Sequence, residues 1–77
     1  MNKERRNQLS AIQDKLSEIR DMIESVLSDE QEAFDNLPES LQESERGEAM
    51  QAAIDAMESA IESCEEADSS LDEAKDS

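Results

Sequence analysis

Apolar side chains recur at alternating steps of three and four residues along two stretches of the chain. The first row is Leu9, Ile12, Leu16, Ile19, Ile23, Val26, Ala33 and Leu37, interrupted at Glu30. The second is Met50, Ile54, Met57, Ile61, Cys64 and Leu71, interrupted at Asp68. A mean step of 3.5 residues keeps each row on one narrow side of a helix, the pattern of coiled-coil packing. It predicts an all-α fold, an antiparallel two-helix coiled-coil hairpin in a single domain over 1–77. Helix one is expected over about 4–36, a connector at 37–40, helix two over about 41–71, and a frayed acidic tail at 72–77.

The break falls at Asn36-Leu37-Pro38. A residue before proline is pushed out of the helical region, and proline suits the first turn of a new helix. Ser40 and Glu43 have the spacing of a capping box, a competing start point. Either way the connection is short, which makes the helices antiparallel neighbours, with Phe34, Leu37 and Leu41 closing the apex. Gly47 stands where the second row calls for a core residue. It reads as a break behind a short apical helix, or as a close crossing that makes room for Leu27 or Phe34; the unbroken register favours the crossing. Folding about residues 37–38 sets residue i opposite roughly 75 − i. This places Arg5 and Arg6 near Ser69 and Ser70, Arg20 near Asp55, and Glu30 beside Arg46 as an ion pair.

Helix one is apolar over more than one row. Met22 widens the stripe on one side, and Leu27 and Phe34 on the other. A stripe that broad covers more than one partner helix. Helix two has a second row of small residues, Ala53, Ala60, Ala67 and Ala74, at seven-residue spacing. A lone hairpin of this size is marginally stable. Two hairpins are therefore expected to pair into a four-helix-bundle dimer through Met22, Leu27, Phe34, Ala53, Ala60 and Ala67, with a hetero-complex as the alternative because a charge of −15 per chain opposes self-association.

Charge changes the picture of partners. The net charge is −15, from 22 acidic and 7 basic residues with no His. Residues 1–20 carry five cations and three acids (+2); residues 21–77 carry two cations and nineteen acids (−17). Direct nucleic-acid binding needs clustered positive charge and is disfavoured. The acidic part suits a basic surface on another protein. No apolar stretch approaches the roughly 20 residues of a membrane span, and no signal-peptide core follows Met1. Together with the single cysteine, these features predict a cytoplasmic protein. That cysteine, Cys64, falls on the apolar row and reads as a small packing residue.

Little catalytic chemistry is available. Without His, and with one packed Cys, the usual nucleophile–base arrangements are missing. No Gly-rich phosphate loop and no Cys/His metal spacing occurs, so no catalytic residue, cofactor or metal ligand is assigned. The segment from Asp68 to Glu73 has some likeness to a calcium loop but lacks its glycine and its ligand order. The remaining candidate is an acidic face on helix two: Glu58, Glu62, Glu65, Glu66, Asp68, Asp72 and Glu73. Such a face keeps a small bundle in solution, or occupies a basic groove on a partner, by imitating the spaced negative charge of nucleic acid or by docking its helix.

The segment Phe34-Asp-Asn-Leu-Pro-Glu-Ser-Leu-Gln-Glu-Ser-Glu-Arg-Gly-Glu-Ala-Met50 resembles a group of small acidic helical proteins encoded in bacteriophage and prophage genomes. The resemblance covers about residues 26–66. It implies a phage or mobile-element setting, hence the host cytoplasm; because small acidic phage proteins often act by binding host proteins, that setting favours an inhibitor or accessory factor acting on a host or phage protein. It implies no substrate. Two other expectations stand beside a non-enzymatic interaction module. One is a structural or assembly role. The other is an anionic-ligand sponge built from Lys3, Arg5, Arg6 and Arg20 of several chains.

Overall fold

A computed structural model describes all 77 residues. The chain is all-helical, with two long helices, α1 (Lys3–Asp35) and α3 (Glu45–Lys75), and a single short turn of helix between them, α2 (Glu39–Gln42). α1 and α3 pack antiparallel as a hairpin measuring 58 × 16 × 11 Å. The two ends of the chain meet, the Met1 ammonium donating to the Ser77 carbonyl at 2.6 Å.

Local chemistry accounts for each boundary. The Asn2 side chain caps α1 by accepting from the Arg5 N–H at 2.8 Å, satisfying one of the orphan donors at a helix start. α1 ends at Asp35, two residues before the Leu37-Pro38 bond. Pro38 stands at the N-cap of α2, its carbonyl accepting from Leu41 and Gln42. Ser44 caps α3 by accepting from the Gly47 N–H at 3.5 Å. Helix two thus starts at Glu45 rather than 41, and it runs in helical order to Lys75, through much of the segment expected to fray.

Gly47 does mark a close approach, but its neighbour is neither Leu27 nor Phe34. A Cβ there would overlap the Gln42 backbone carbonyl. Gly47 therefore belongs to the break behind an apical helix, and the expected crossing against Leu27 or Phe34 is not what its missing side chain serves. Gln42 secures the apex with its side-chain amide, which donates to the Phe34 and Leu37 carbonyls at 3.2 Å each.

Residues 36–44 thus form a longer connection with a helical turn of its own, and this moves the pivot. Gln13 Nε2 donates to the Asp68 carbonyl (3.1 Å) and to Asp72 Oδ1 (2.7 Å). Arg6 Nε donates to the Lys75 carbonyl (2.8 Å), and Lys75 Nζ to Ser10 Oγ (3.2 Å). Facing residue numbers add to 81–85, so the chain turns about Leu41 and the expected pairings shift. Arg6 meets Lys75 rather than Ser69 and Ser70. Arg20 lines a groove with Cys64 and Asp68 and contacts Asp21, not Asp55. No Glu30–Arg46 pair forms; the ion pairs are Arg20–Asp21 at 3.4 Å and Lys75–Asp72 at 3.7 Å.

The contact line on α3 follows the predicted row, through Gly47, Met50, Ile54, Met57, Ile61, Cys64, Asp68 and Leu71 to Lys75. On α1 it is rotated. The half-buried residues are Leu9, Ser10, Gln13, Leu16, Arg20, Ile23, Leu27, Glu30 and Phe34, with Leu37 just beyond the helix, while Ile12, Ile19, Val26 and Ala33 are exposed. One helix can face only part of a stripe as broad as that of α1. Here Leu27 and Phe34 turn inward and the isoleucine row is left outside. Burial is shallow: Ile54 (2% exposed) and Ile61 (9%) are the only apolar side chains fully inside.

Candidate interaction site

The rotation of α1 decides what each side of the hairpin presents. With contact-line residues at heptad positions a and d, Gln13 and Gly47 are both a. In an antiparallel pair the e rows of both helices then share one side and the g rows the other. A groove at the open half of the hairpin agrees with this. Its walls are Gln13, Asp14, Leu16, Ser17 and Arg20 from α1 and Cys64, Glu65, Asp68, Ser69 and Asp72 from α3, all at a, d, e or b positions.

The two sides differ sharply in charge. The eighteen e and b positions of α1 and α3 hold ten acids, among them Asp14, Asp21, Glu24, Asp55, Glu58, Glu62 and Glu65, and one cation, Lys3. The eighteen g and c positions hold one acid, Asp29, and three cations, Arg5, Lys15 and Arg46. Acidic side chains are thus segregated onto one long side built from both helices.

Of the predicted acidic residues, Glu58, Glu65 and Asp72 lie in the e row and Glu62 in the adjoining b row. Glu62, Glu65 and Glu66 group around Ser69 and Ser70. Glu66 and Glu73 stand at the outermost position of α3. Asp68 belongs elsewhere: it is half-buried in the contact line, its carbonyl held by Gln13. The α1 contribution, Asp14, Asp21 and Glu24, was not anticipated. Its signal in the sequence is the run of Asp and Glu one and four residues after the Gln13–Phe34 row.

The predicted oligomer surface divides in the same way. Met22, Ala53, Ala60 and Ala67 lie on the acid-poor side. Leu27 and Phe34 do not, because they pack in the seam against α3. Cys64 is a free, half-buried thiol of that seam.

Basic residues are not gathered into one pocket. Lys3, Arg5 and Arg6 stand at the open end, with Arg6 donating to the Lys75 carbonyl at the end of α3. Arg20 lies about 22 Å from Arg5 along the helix axis. In the groove Arg20 Nη2 contacts Asp21, and its Nε has no hydrogen-bond partner. No cluster of His, Cys, Asp or Glu has the arrangement of a metal site. No helix is long and apolar enough to cross a membrane. No family model, curated protein or solved structure matches the chain.

Proposed function

We propose that this chain is a non-enzymatic interaction module that docks its acidic side on a basic surface of another protein. In this reading it acts in the cytoplasm as an inhibitor or accessory factor, in the phage or prophage setting that the resemblance of its connector implies. The observation that carries the reading is the charge segregation: ten acids against one cation on one side of the hairpin, spread over both helices. Solubility alone needs charge but not its confinement to one side.

The acids of this side extend over roughly 35 Å of helix axis, about one charge every 3–4 Å, half the linear density of duplex DNA. That density suits a basic protein groove, with nucleic-acid mimicry as a sparser variant of the same recognition. The proposed working form is a dimer, two hairpins paired into a four-helix bundle. Its support is the shallow burial within one hairpin, where two apolar side chains are fully inside. The same observation favours the second reading, a structural or assembly element.

Capture of partners from host lysate on immobilised protein tests the main reading. A basic protein should be retained at low salt and released steeply as ionic strength passes about 0.15 M, where the screening length falls to about 8 Å. A tight homo-oligomer that retains no partner would favour the assembly role.

A further inference from the structure

The acid-poor side of the hairpin is an apolar face with nothing on it. Ile12 (45% exposed), Ile19 (47%), Met22 (68%) and Val26 (57%) line its α1 half. The α3 half is small and, apart from Arg46 near its start, uncharged, with exposed Ala56 and half-buried Ala60 at its centre. Helices built for a two-stranded coil are apolar at a and d alone, whereas helices of a bundle are apolar at a, d and one flanking row. Here the flanking row is g in both helices, on the same side of the hairpin. We infer that this face is the seat of a second copy of the same chain, packed through Ile12, Ile19, Met22 and Val26 of each copy. The inference rests on the paired-hairpin reading above and specifies which surface pairs.

Three features select a second copy over another occupant. The face matches itself in charge: it carries Arg5, Lys15 and Arg46, and the row bordering it carries glutamates, including Glu4, Glu18 and Glu66. Face-to-face packing brings cations of one copy to the glutamate edge of the other. The size is also right. The whole hairpin has a footprint of 58 by 16 Å, about 900 Å², so a copy seated along its full length, with the apolar stretch of about 21 Å from Ile12 to Val26 at its middle, reaches the about 800 Å² per partner of a standard stable interface. Finally, the −15 charge per chain ceases to oppose pairing in this geometry. The acidic sides end up on opposite outer surfaces, separated by two helix layers of about 10 Å each, more than twice the screening length of about 8 Å at physiological salt.

Sedimentation equilibrium of the intact chain should give twice the 8.6 kDa chain mass. Ile19→Glu and Ala60→Glu place a charge in the buried face and should each raise the dimer dissociation constant more than about tenfold. Ser17→Glu, on the acidic side, should leave the mass doubled. A wild-type chain that stays monomeric overturns both the pairing and this face. A dimer that survives both Ile19→Glu and Ala60→Glu overturns the face alone. Methyl NMR of the unaltered chain removes any dependence on variant folding. Dilution through dissociation should move the Ile19 and Met22 methyl resonances and leave Leu41 in place; movement confined to other methyls would refute the assignment.

Discussion

Gly47 lies against the carbonyl of Gln42, so close that a side chain at position 47 would overlap the Gln42 carbonyl oxygen, carbon and Cα. This contact folds α2 back onto the first turn of α3 and sets the pivot of the hairpin near Leu41. The pivot then sets which residues of α1 and α3 face one another. Alanine in place of glycine inside a helix ordinarily stabilises by about 1 kcal/mol. Here the obstruction is backbone and cannot rotate away, so Gly47→Ala should destabilise by about 1–3 kcal/mol, as overpacking does. Thermal unfolding followed by circular dichroism reads the sign; a raised melting temperature would rule out the close approach.

The start of α3 is set by Ser44, not Ser40. Ser44→Ala should cost about 0.5–1 kcal/mol, the low end for a lost cap because its bond to the Gly47 N–H is long at 3.5 Å. Ser40→Ala, inside the exposed apical turn, should change stability by less than about 0.5 kcal/mol. Denaturant melts of the two variants side by side make the comparison. Equal losses would mean that the helix begins elsewhere.

Ile54 is the most deeply buried side chain. Ile54→Ala should cost about 2–5 kcal/mol, comparable to the whole stability expected of a core this small. The variant should therefore be largely unfolded at 25 °C. Leu41→Ala, at the exposed apex, should cost under about 1 kcal/mol. Far-ultraviolet circular dichroism distinguishes the two, and a fully helical Ile54→Ala chain would contradict the core described above.

The architecture was legible because α3 is unambiguous. Its large apolar residues, Met50, Ile54, Met57, Ile61 and Leu71, occupy one row, and from Ala53 to Ala74 the neighbouring row holds only alanines. α1 was harder to read for the opposite reason. Leu9, Leu16 and Ile23 are flanked by Ile12, Ile19 and Val26 on one side and by Leu27 and Phe34 on the other, so periodicity alone permits two contact lines. The choice depends on tertiary contacts: Gln13 reaching Asp68 and Asp72, and Gln42 tying the apex to Phe34. The connector is hard to read because Glu39-Ser-Leu-Gln42 looks like the start of helix two but is a helical turn of its own, closed by the break at Glu43-Ser44; this shifts the pivot by about four residues and displaces every inferred pairing. The acidic side was seen only in part, since its α1 half emerges once the rotation of α1 is known.

Neutralising that side should weaken partner binding without loosening the fold. The triple substitution of Glu62, Glu65 and Glu66 by Gln removes three neighbouring like charges from the surface of α3. Helicity should hold or rise slightly as repulsion is relieved. Affinity for a basic partner, or for a polylysine probe, should fall, and the dependence of binding on salt should flatten. Calorimetric titration at two ionic strengths reads both effects, and unchanged affinity and salt slope would place binding elsewhere.

The segregation of charge rests on which rows of α1 and α3 share a side, and thiol cross-linking probes that arrangement within one chain. With Cys64→Ala removing the native thiol, Ser17→Cys and Glu65→Cys stand in the walls of one groove and should be joined by a short bismaleimide in high yield as an intramolecular product. Ile19→Cys with Glu65→Cys, on opposite sides of the hairpin, should join poorly. Efficient linkage of positions 19 and 65 with none between 17 and 65 would contradict the rotation of α1 and, with it, the separation of an acidic side from an apolar one.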